Sequence, residues 1–185
     1  MNQMWSIDRS PSLMHHGVKG MKWGVWNAET RARYSGKDRV FISGKVSFDK
    51  QLPKKVKDEI NQVMKANAQI IVGDAPGADT RVQDYLSKSG YSNVIVFTSE
   101  GKARNNVGNW KERNIGKKLE DERARRVQKD IAMTNLATKA IAIMPKDDRP
   151  DSAMSKNIDR LKERDILTTL YDFSDDTMNV KLKSI

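Results

Sequence analysis

The chain has 185 residues, 37% of them hydrophobic and 31% charged, enough for one buried domain with sequence left over for a tail. Its net charge of +10 favours anionic partners such as nucleotides, nucleic acid or an acidic protein surface. The absence of cysteine excludes disulfides and thiolate metal sites, and the only two histidines, His15 and His16, are adjacent near the N-terminus, which argues against a core zinc site or a Ser–His–Asp triad. No metal site is expected. No apolar run approaches a membrane span, and Asp8, Arg9 and Pro11 interrupt any signal-peptide core, so a soluble intracellular protein is expected.

Residues 1–37 show neither helical nor strand periodicity and carry Gly17, Gly20, Gly24 and Gly36, which predicts an extension outside the packed domain. Three of the four tryptophans, Trp5, Trp23 and Trp26, fall in it beside Lys19 and Lys22. Aromatics among cations suit a docking peptide that orders on a partner; folding back over the chain's own domain is the alternative.

A domain is expected over 38–173, followed by a polar tail over 174–185. Arg39 to Ser43 reads as a strand ended by Gly44, and Pro53 to Ala66 as a helix with Val56, Ile60, Val63 and Met64 on one face. Gln69 to Val72 is the second strand, Ala78 to Lys88 a helix stopped by Gly90, and Asn93 to Phe97 the third strand. Residues 98–118 read as one long basic loop. Within Gly101 to Lys129 there are ten Lys/Arg against four Asp/Glu, equally readable as a solvated helix face or an anion-binding surface. A helix from Leu119 to Ala137, a strand from Lys139 to Met144, a helix from Ser152 to Arg164 and a fifth strand from Ile166 to Tyr171 complete the pattern. Alternation of short apolar strands with amphipathic helices predicts an α/β, Rossmann-like, doubly wound and mainly parallel sheet of about five strands with helices on both faces.

Right-handed crossovers then gather the strand C-termini on one rim, where Ser43-Gly44-Lys45, Gly73 to Asp79 and Ser99 to Asn106 would meet. The stretch Gly73-Asp74-Ala75-Pro76-Gly77-Ala78-Asp79 is the strongest local signal. A strand running into a glycine turn that opens a helix offers backbone N–H groups to a phosphate or another anion. Asp79 reads either as a helix cap or as a ligand for a ribose hydroxyl. Arg104, Asn105 and Asn106 offer a guanidinium fork and two amides, or a loop held by its own hydrogen bonds. Trp110 fits packing or base stacking, and Asp130 a helix-face carboxylate. If the protein is an enzyme, Asp74, Asp79 and Asp130 are the carboxylates available for acid/base work.

Several of these segments together resemble the SLOG superfamily, Rossmann-like nucleotide-binding domains related to the DNA-processing protein DprA and to LOG-type phosphoribohydrolases. The likeness covers Val40 to Asp172. It rests on Phe41-Ile42-Ser43-Gly44 with Leu52-Pro53, on Gly73 to Asp79 with Val82-Gln83-Tyr85-Leu86, on Arg104 to Trp110, on Gln128-Lys129-Asp130 with Met133, and on Ser155 and Asn157. The resemblance implies a small nucleotide-type ligand, with Ser43, Gly44 and Lys45 on one phosphate turn, Gly73, Gly77 and Ala78 on a second, and Asp79, Arg104, Asn105, Asn106 and Ser155 around them. It also implies association of copies through sheet-flanking helices. The LOG enzymes carry Pro-Gly-Gly-x-Gly-Thr-x-x-Glu, whereas Asp151 to Asn157 holds neither a glycine nor a Glu. Binding without cleavage is therefore expected ahead of N-glycoside or phosphoribosyl hydrolysis, with single-stranded nucleic-acid or virion binding as a further alternative.

His15-His16-Gly17-Val18-Lys19-Gly20-Met21-Lys22-Trp23-Gly24-Val25 is similar to a short motif that recurs in tailed-phage and prophage proteins. That likeness implies a phage-derived protein acting in the bacterial cytoplasm or in the virion. Its docking residues for a capsid or portal protein would be His16, Lys19, Met21, Lys22 and Trp23.

Overall fold

The computed structural model describes residues 33–116, 119–145, 148–173 and, as backbone, 180–183. The N-terminal docking residues His16, Lys19, Met21, Lys22 and Trp23 lie outside the described residues. Packing of the domain begins at Tyr34, ahead of the expected start at Asp38: its ring is buried and its hydroxyl donates to the Glu59 carboxylate.

Apolar runs of three to five residues build the central strands. Strands β1 (Arg39–Gly44), β2 (Gln69–Gly73) and β3 (Val94–Thr98) are followed by the short β4 (Lys111–Asn114), then by β5 (Lys139–Met144), β6 (Leu167–Asp172) and β7 (Val180–Lys183). They form one sheet in the order β4-β3-β2-β1-β5-β6-β7. Every pairing is parallel except β6 with β7. Helices α1 (Lys54–Lys65), α2 (Ala78–Lys88), α3 (Glu122–Leu136) and α4 (Ala153–Glu163) cover both faces.

The alternation of side chains along each strand divides the core in two. Val40, Ile42, Ile70, Val72, Ile141 and Ile143 pack with Val56, Ile60 and Val63 of α1 and Val82 and Leu86 of α2. Phe41, Ile71, Phe97 and Ala140 point the other way, toward Met133 of α3 and Leu161 of α4. A strand buried on both faces is continuously apolar, which is why β1, β2 and β5 stand out in the sequence.

The Rossmann-like architecture expected from the alternation is present, with more strands than expected. β4, within the stretch read as a loop, has an alternating exposed and half-buried charged sequence and no apolar run to betray it. It is an edge strand, whose charges also discourage pairing with other chains. β7 lies in the expected polar tail and closes the opposite edge antiparallel to β6. Helix boundaries follow their caps. Asp121 accepts from the Arg123 and Ala124 amides, so α3 starts at Glu122 and not at Leu119; Ser152 accepts from Ser155 and starts α4 at Ala153. After α4, Asp165 takes a positive φ of 54° and the Ile166 N–H returns to the Leu161 carbonyl, which delays β6 to Leu167.

From β1 the chain builds outward through β2, β3 and β4, then crosses back to place β5 on the other side of β1. The order reverses between β1 and β5, and a crevice opens there at the C-terminal ends of the strands.

Candidate functional site

A cleft of about 610 Å³ occupies this crevice. Its floor and walls come from the end of β1, the loops after β1 and β2, one face of α3 and the start of α4.

The three glycines of the phosphate-turn motifs are required by close approaches. A Cβ on Gly44 would sit 2.6 Å from the Ile143 carbonyl oxygen and 2.6 Å from the Ala78 Cβ. A Cβ on Gly77, whose φ is +77°, would lie 2.1 Å from the Val46 carbonyl oxygen. A Cβ on Gly73 would lie 2.4 Å from the Asp79 Oδ2. The Ala78 N–H, first of α2, donates to the Lys45 carbonyl at 3.1 Å. Gly44 and Gly73 therefore line the cleft, while Gly77 and Ala78 lock the β2–α2 turn against the loop after β1 and do not line it.

Asp74, at 1% exposure, organises the region behind the cleft. Its Oδ1 receives Lys129 Nζ at 2.8 Å and Arg104 Nη2 at 3.0 Å; its Oδ2 receives the Arg104 backbone N–H and Nε, each at 3.2 Å. Burial by itself would raise the pKa of this carboxyl, but the Arg104 hydrogen bonds and the Lys129 charge outweigh it and hold the group well below the usual carboxylate range. The Asn105 side chain donates to the Asp74 carbonyl at 3.1 Å. Gln83, fully buried on α2, donates to the carbonyls of Gly73 (2.8 Å) and Asn105 (3.2 Å) and accepts the Val107 N–H (3.0 Å). Asn106 joins Trp110 to Glu112, and the Trp110 indole donates to the Tyr91 carbonyl at 2.8 Å while its ring packs on the core. The segment from Arg104 to Trp110 is thus held mainly by hydrogen bonds to Asp74, Gln83, Tyr91 and Glu112; of these residues, Arg104 reaches the cleft.

Asp79 and Asp130 do line the cleft. Asp79 is 8% exposed, and its Oδ2 accepts the Ala75 N–H at 3.3 Å. It does not cap its helix, since Gly77 holds the cap position and no side chain bonds there. Burial pushes its pKa from 3.8 up to about 7, against the attraction of Lys129, with the charges of Asp130 and Asp74 adding to the rise. Asp130 on α3 is raised as well, by burial ahead of the opposing charges of Lys129 and Arg160 and a hydrogen bond from Asn157.

The remaining wall is basic and partly apolar. Lys45 is ion-paired with Asp148, and Arg126 with Glu122. Arg149 is exposed and has no ion-pair partner among the described residues. Ser43 donates from Oγ to the Met154 sulfur at 3.2 Å, so β1 meets the first turn of α4 there. Ser155, expected at the ligand, donates instead to the Arg149 carbonyl at 2.8 Å, and its neighbours Ser152, Ala153 and Met154 line the cleft.

The cleft therefore unites Ser43, Gly44, Lys45, Gly73, Asp79, Arg104 and Asp130 from the sequence-based set. It leaves Asp74, Gly77, Ala78, Asn105, Asn106 and Ser155 as its supports. Lining residues not singled out as ligand contacts include Arg126, Lys129, Met133, Arg149, Ser152 and Asn157. One signal was available for α3: Arg126, Lys129, Asp130 and Met133 recur at i, i+3, i+4 and i+7, a single helical face of mixed chemistry.

Fold and site together define a Rossmann-like α/β domain with a cationic cleft at its topological switch point. Among proteins of known sequence, a family described as a family of unknown function (DUF7211) matches residues 8–29, the segment carrying the His-Gly-Val-Lys motif. No curated protein and no solved structure matches the chain. No helix among the described residues is long and apolar enough to cross a membrane, and no group of three or more metal-ligating side chains occurs among them.

Proposed function

We propose that this chain is a SLOG-like binding protein for a nucleotide or nucleotide derivative, one that senses or sequesters a signalling nucleotide. The observation carrying this reading is the cleft at the β1/β5 switch point, where Lys45, Arg104, Arg126, Lys129 and Arg149 face two carboxyls. Its volume of about 610 Å³ is in the range of small-molecule sites and ample for a mononucleotide. Phe41, Pro76, Met133 and Met154 add apolar surface against which a base can pack. Mass spectrometry of small molecules released by denaturing the purified protein tests the proposal, followed by calorimetry with nucleoside monophosphates, NAD, ADP-ribose, cyclic ADP-ribose isomers and cyclic dinucleotides. Absence of binding to all of them at about 1 mM, equivalent to roughly −4 kcal/mol, overturns it.

A second reading, hydrolysis of an N-glycosidic bond, draws on Asp79: a carboxyl in the cleft wall whose pKa is pushed to about 7 has the protonation behaviour of a general acid or base. Chromatography of nucleoside monophosphates incubated with the protein decides it, since hydrolysis must yield free base and must disappear in Asp79→Asn.

The phage-type motif at His15 to Val25 supports a tether: we infer that it docks the domain on a capsid or portal protein. Co-sedimentation with capsids that survives deletion of residues 1–30 would remove this part of the proposal.

A further inference from the structure

The charges in the cleft are sorted by depth, and this sorting bears on how a ligand sits. At the deep end are Asp79 and Lys129, both under one-tenth exposed, and the half-buried Asp130. Lys129 is already committed to Asp74 at 2.8 Å, and Asp74 also holds Arg104. Counting the five charged groups together, three carboxyls face two cations, so the deep end carries no surplus of positive charge when all are ionised. The β2–α2 turn does not compensate, because its leading N–H is spent on Lys45 and its Gly77 faces Val46. A phosphate buried there would find no unspent cation, and Asp79 and Asp130, wherever ionised, would repel it across a low-dielectric gap.

Asp79 has one oxygen on the Ala75 amide, and no donor among the described residues reaches its Oδ1. A carboxyl that is nine-tenths buried, lines a cleft and keeps an oxygen without a protein donor needs a hydrogen-bond donor from the ligand or solvent. The mouth has the opposite character. Arg149 and Arg126 are exposed, Arg149 lacks an ion-pair partner among the described residues, and α4 begins beside it with Ser152, Ala153 and Met154 on the cleft wall. Anions are favoured at that end by the guanidinium groups and by the helix dipole.

Building on the nucleotide-binding reading, we propose that the ligand enters hydroxyl-first: a ribose diol donates to Asp79 and Asp130 at the floor, and the phosphate stays at the mouth on Arg149 and Arg126. This is the reverse of the arrangement implied by the glycine turn, in which the phosphate would sit on Gly73 to Asp79. The substrate class that follows is a 5′-phosphorylated ribonucleoside with both ribose hydroxyls free.

Calorimetry on the full chain with the four ribonucleoside 5′-monophosphates, their 2′,3′-dideoxy forms and the parent nucleosides tests this. For the tightest monophosphate, loss of the two hydroxyls should weaken binding at least about tenfold, because the cleft-facing oxygen of Asp79 then loses its donor. Asp79→Asn should erase most of that ribo-against-dideoxy difference. Arg149→Ala should weaken the monophosphate about tenfold and leave the nucleoside within about twofold, since only the former carries the anion. Equal binding of ribo and dideoxy forms by the unaltered protein overturns the proposal without any variant having to fold. So does an Arg149→Ala effect of the same size on nucleoside and monophosphate. If none of the four binds at about 1 mM, this inference is overturned, and the wider panel of dinucleotides and ADP-ribose derivatives decides the reading on which it rests.

Discussion

Asp79 and Asp74 sit on the same turn and titrate in opposite directions, because one has little beside it to balance its burial and the other has two cations. For Asp79 the folded form holds its proton up to about pH 7, whereas the unfolded chain releases it near 3.8. Between those limits the folded state binds more protons, so stability falls as pH rises from about 4 to about 7 and then levels off. Asp130 contributes with the same sign, while Asp74, being lowered, acts only below about pH 4, where its stabilising pairs are lost as it protonates. Urea denaturation at several pH values should show this downward slope in the unaltered protein and a shallower one in Asp79→Asn; an identical slope would disprove the assignment. The same denaturation checks Asp74→Asn, which should cost about 3 kcal/mol, the low end of the range for broken buried pairs, because Arg104 remains partly solvated.

Glycines offer a sharper contrast at this scale. Gly77 and Gly90 both have positive φ, +77° and +66°, but a Cβ at Gly90 meets nothing within 4 Å while one at Gly77 strikes the Val46 carbonyl. Gly90→Ala should therefore cost about 1–2 kcal/mol from the backbone alone. Gly77→Ala should exceed it by at least about 1–3 kcal/mol of overpacking. Equal shifts in the denaturation midpoint would show that the two loops are not locked together.

At the scale of elements, α1 is tied to β6 and to the start of the domain by one buried carboxylate. Glu59, 2% exposed, accepts from the hydroxyls of Tyr34, Thr169 and Tyr171. Tyr34 is therefore part of the domain and not of the leader, and Lys139 lies 5.1 Å from its ring centroid. Truncating Tyr34→Ala removes a buried aromatic and a donor to Glu59, and should lower stability by about 3–5 kcal/mol as read by thermal or chemical denaturation. A loss under about 1 kcal/mol would return Tyr34 to the extension. Boundaries of this kind are poorly legible in the sequence because a lone tyrosine among Arg33, Ser35 and Gly36 has no periodic company. β4 escaped for a related reason. Its Lys-Glu-Arg-Asn sequence carries no apolar signal, and it is a strand through its backbone pairing with Ile95 to Thr98. The central strands were legible since burial on both faces demands uninterrupted apolar residues.

For the molecule as a whole, the net charge of +10 acts on any polyanion, whereas the cleft acts on one or two phosphates. Lys102, Lys111, Arg113 and Arg123 are exposed outside the cleft and add a diffuse basic surface. Retention of single-stranded DNA through about five phosphates should fall by about a hundredfold between 50 and 200 mM salt, while mononucleotide affinity should fall less than about tenfold. A mononucleotide affinity that drops as steeply as that for DNA would mean that binding is surface electrostatics and not the cleft.

The sequence by itself determined the layered α/β architecture, because strand and helix periodicities and their alternation are local consequences of burying one face or two. It also located the rim, since glycine turns after apolar strands mark where the chain leaves the sheet. Which rim residues face a ligand was decided by tertiary structure alone. Asp74, Asn105 and Asn106 have the chemistry of ligand contacts, yet protein partners draw them into the scaffold: Lys129 takes Asp74, the Asp74 carbonyl takes Asn105, and the nearby Glu112 takes Asn106. Arg149 and the free Asp79 oxygen remain available to the cleft because no protein donor or acceptor among the described residues satisfies them. Hydrogen-bonding capacity is a property of a residue type, but whether that capacity is already spent depends on neighbours that only the folded chain brings together.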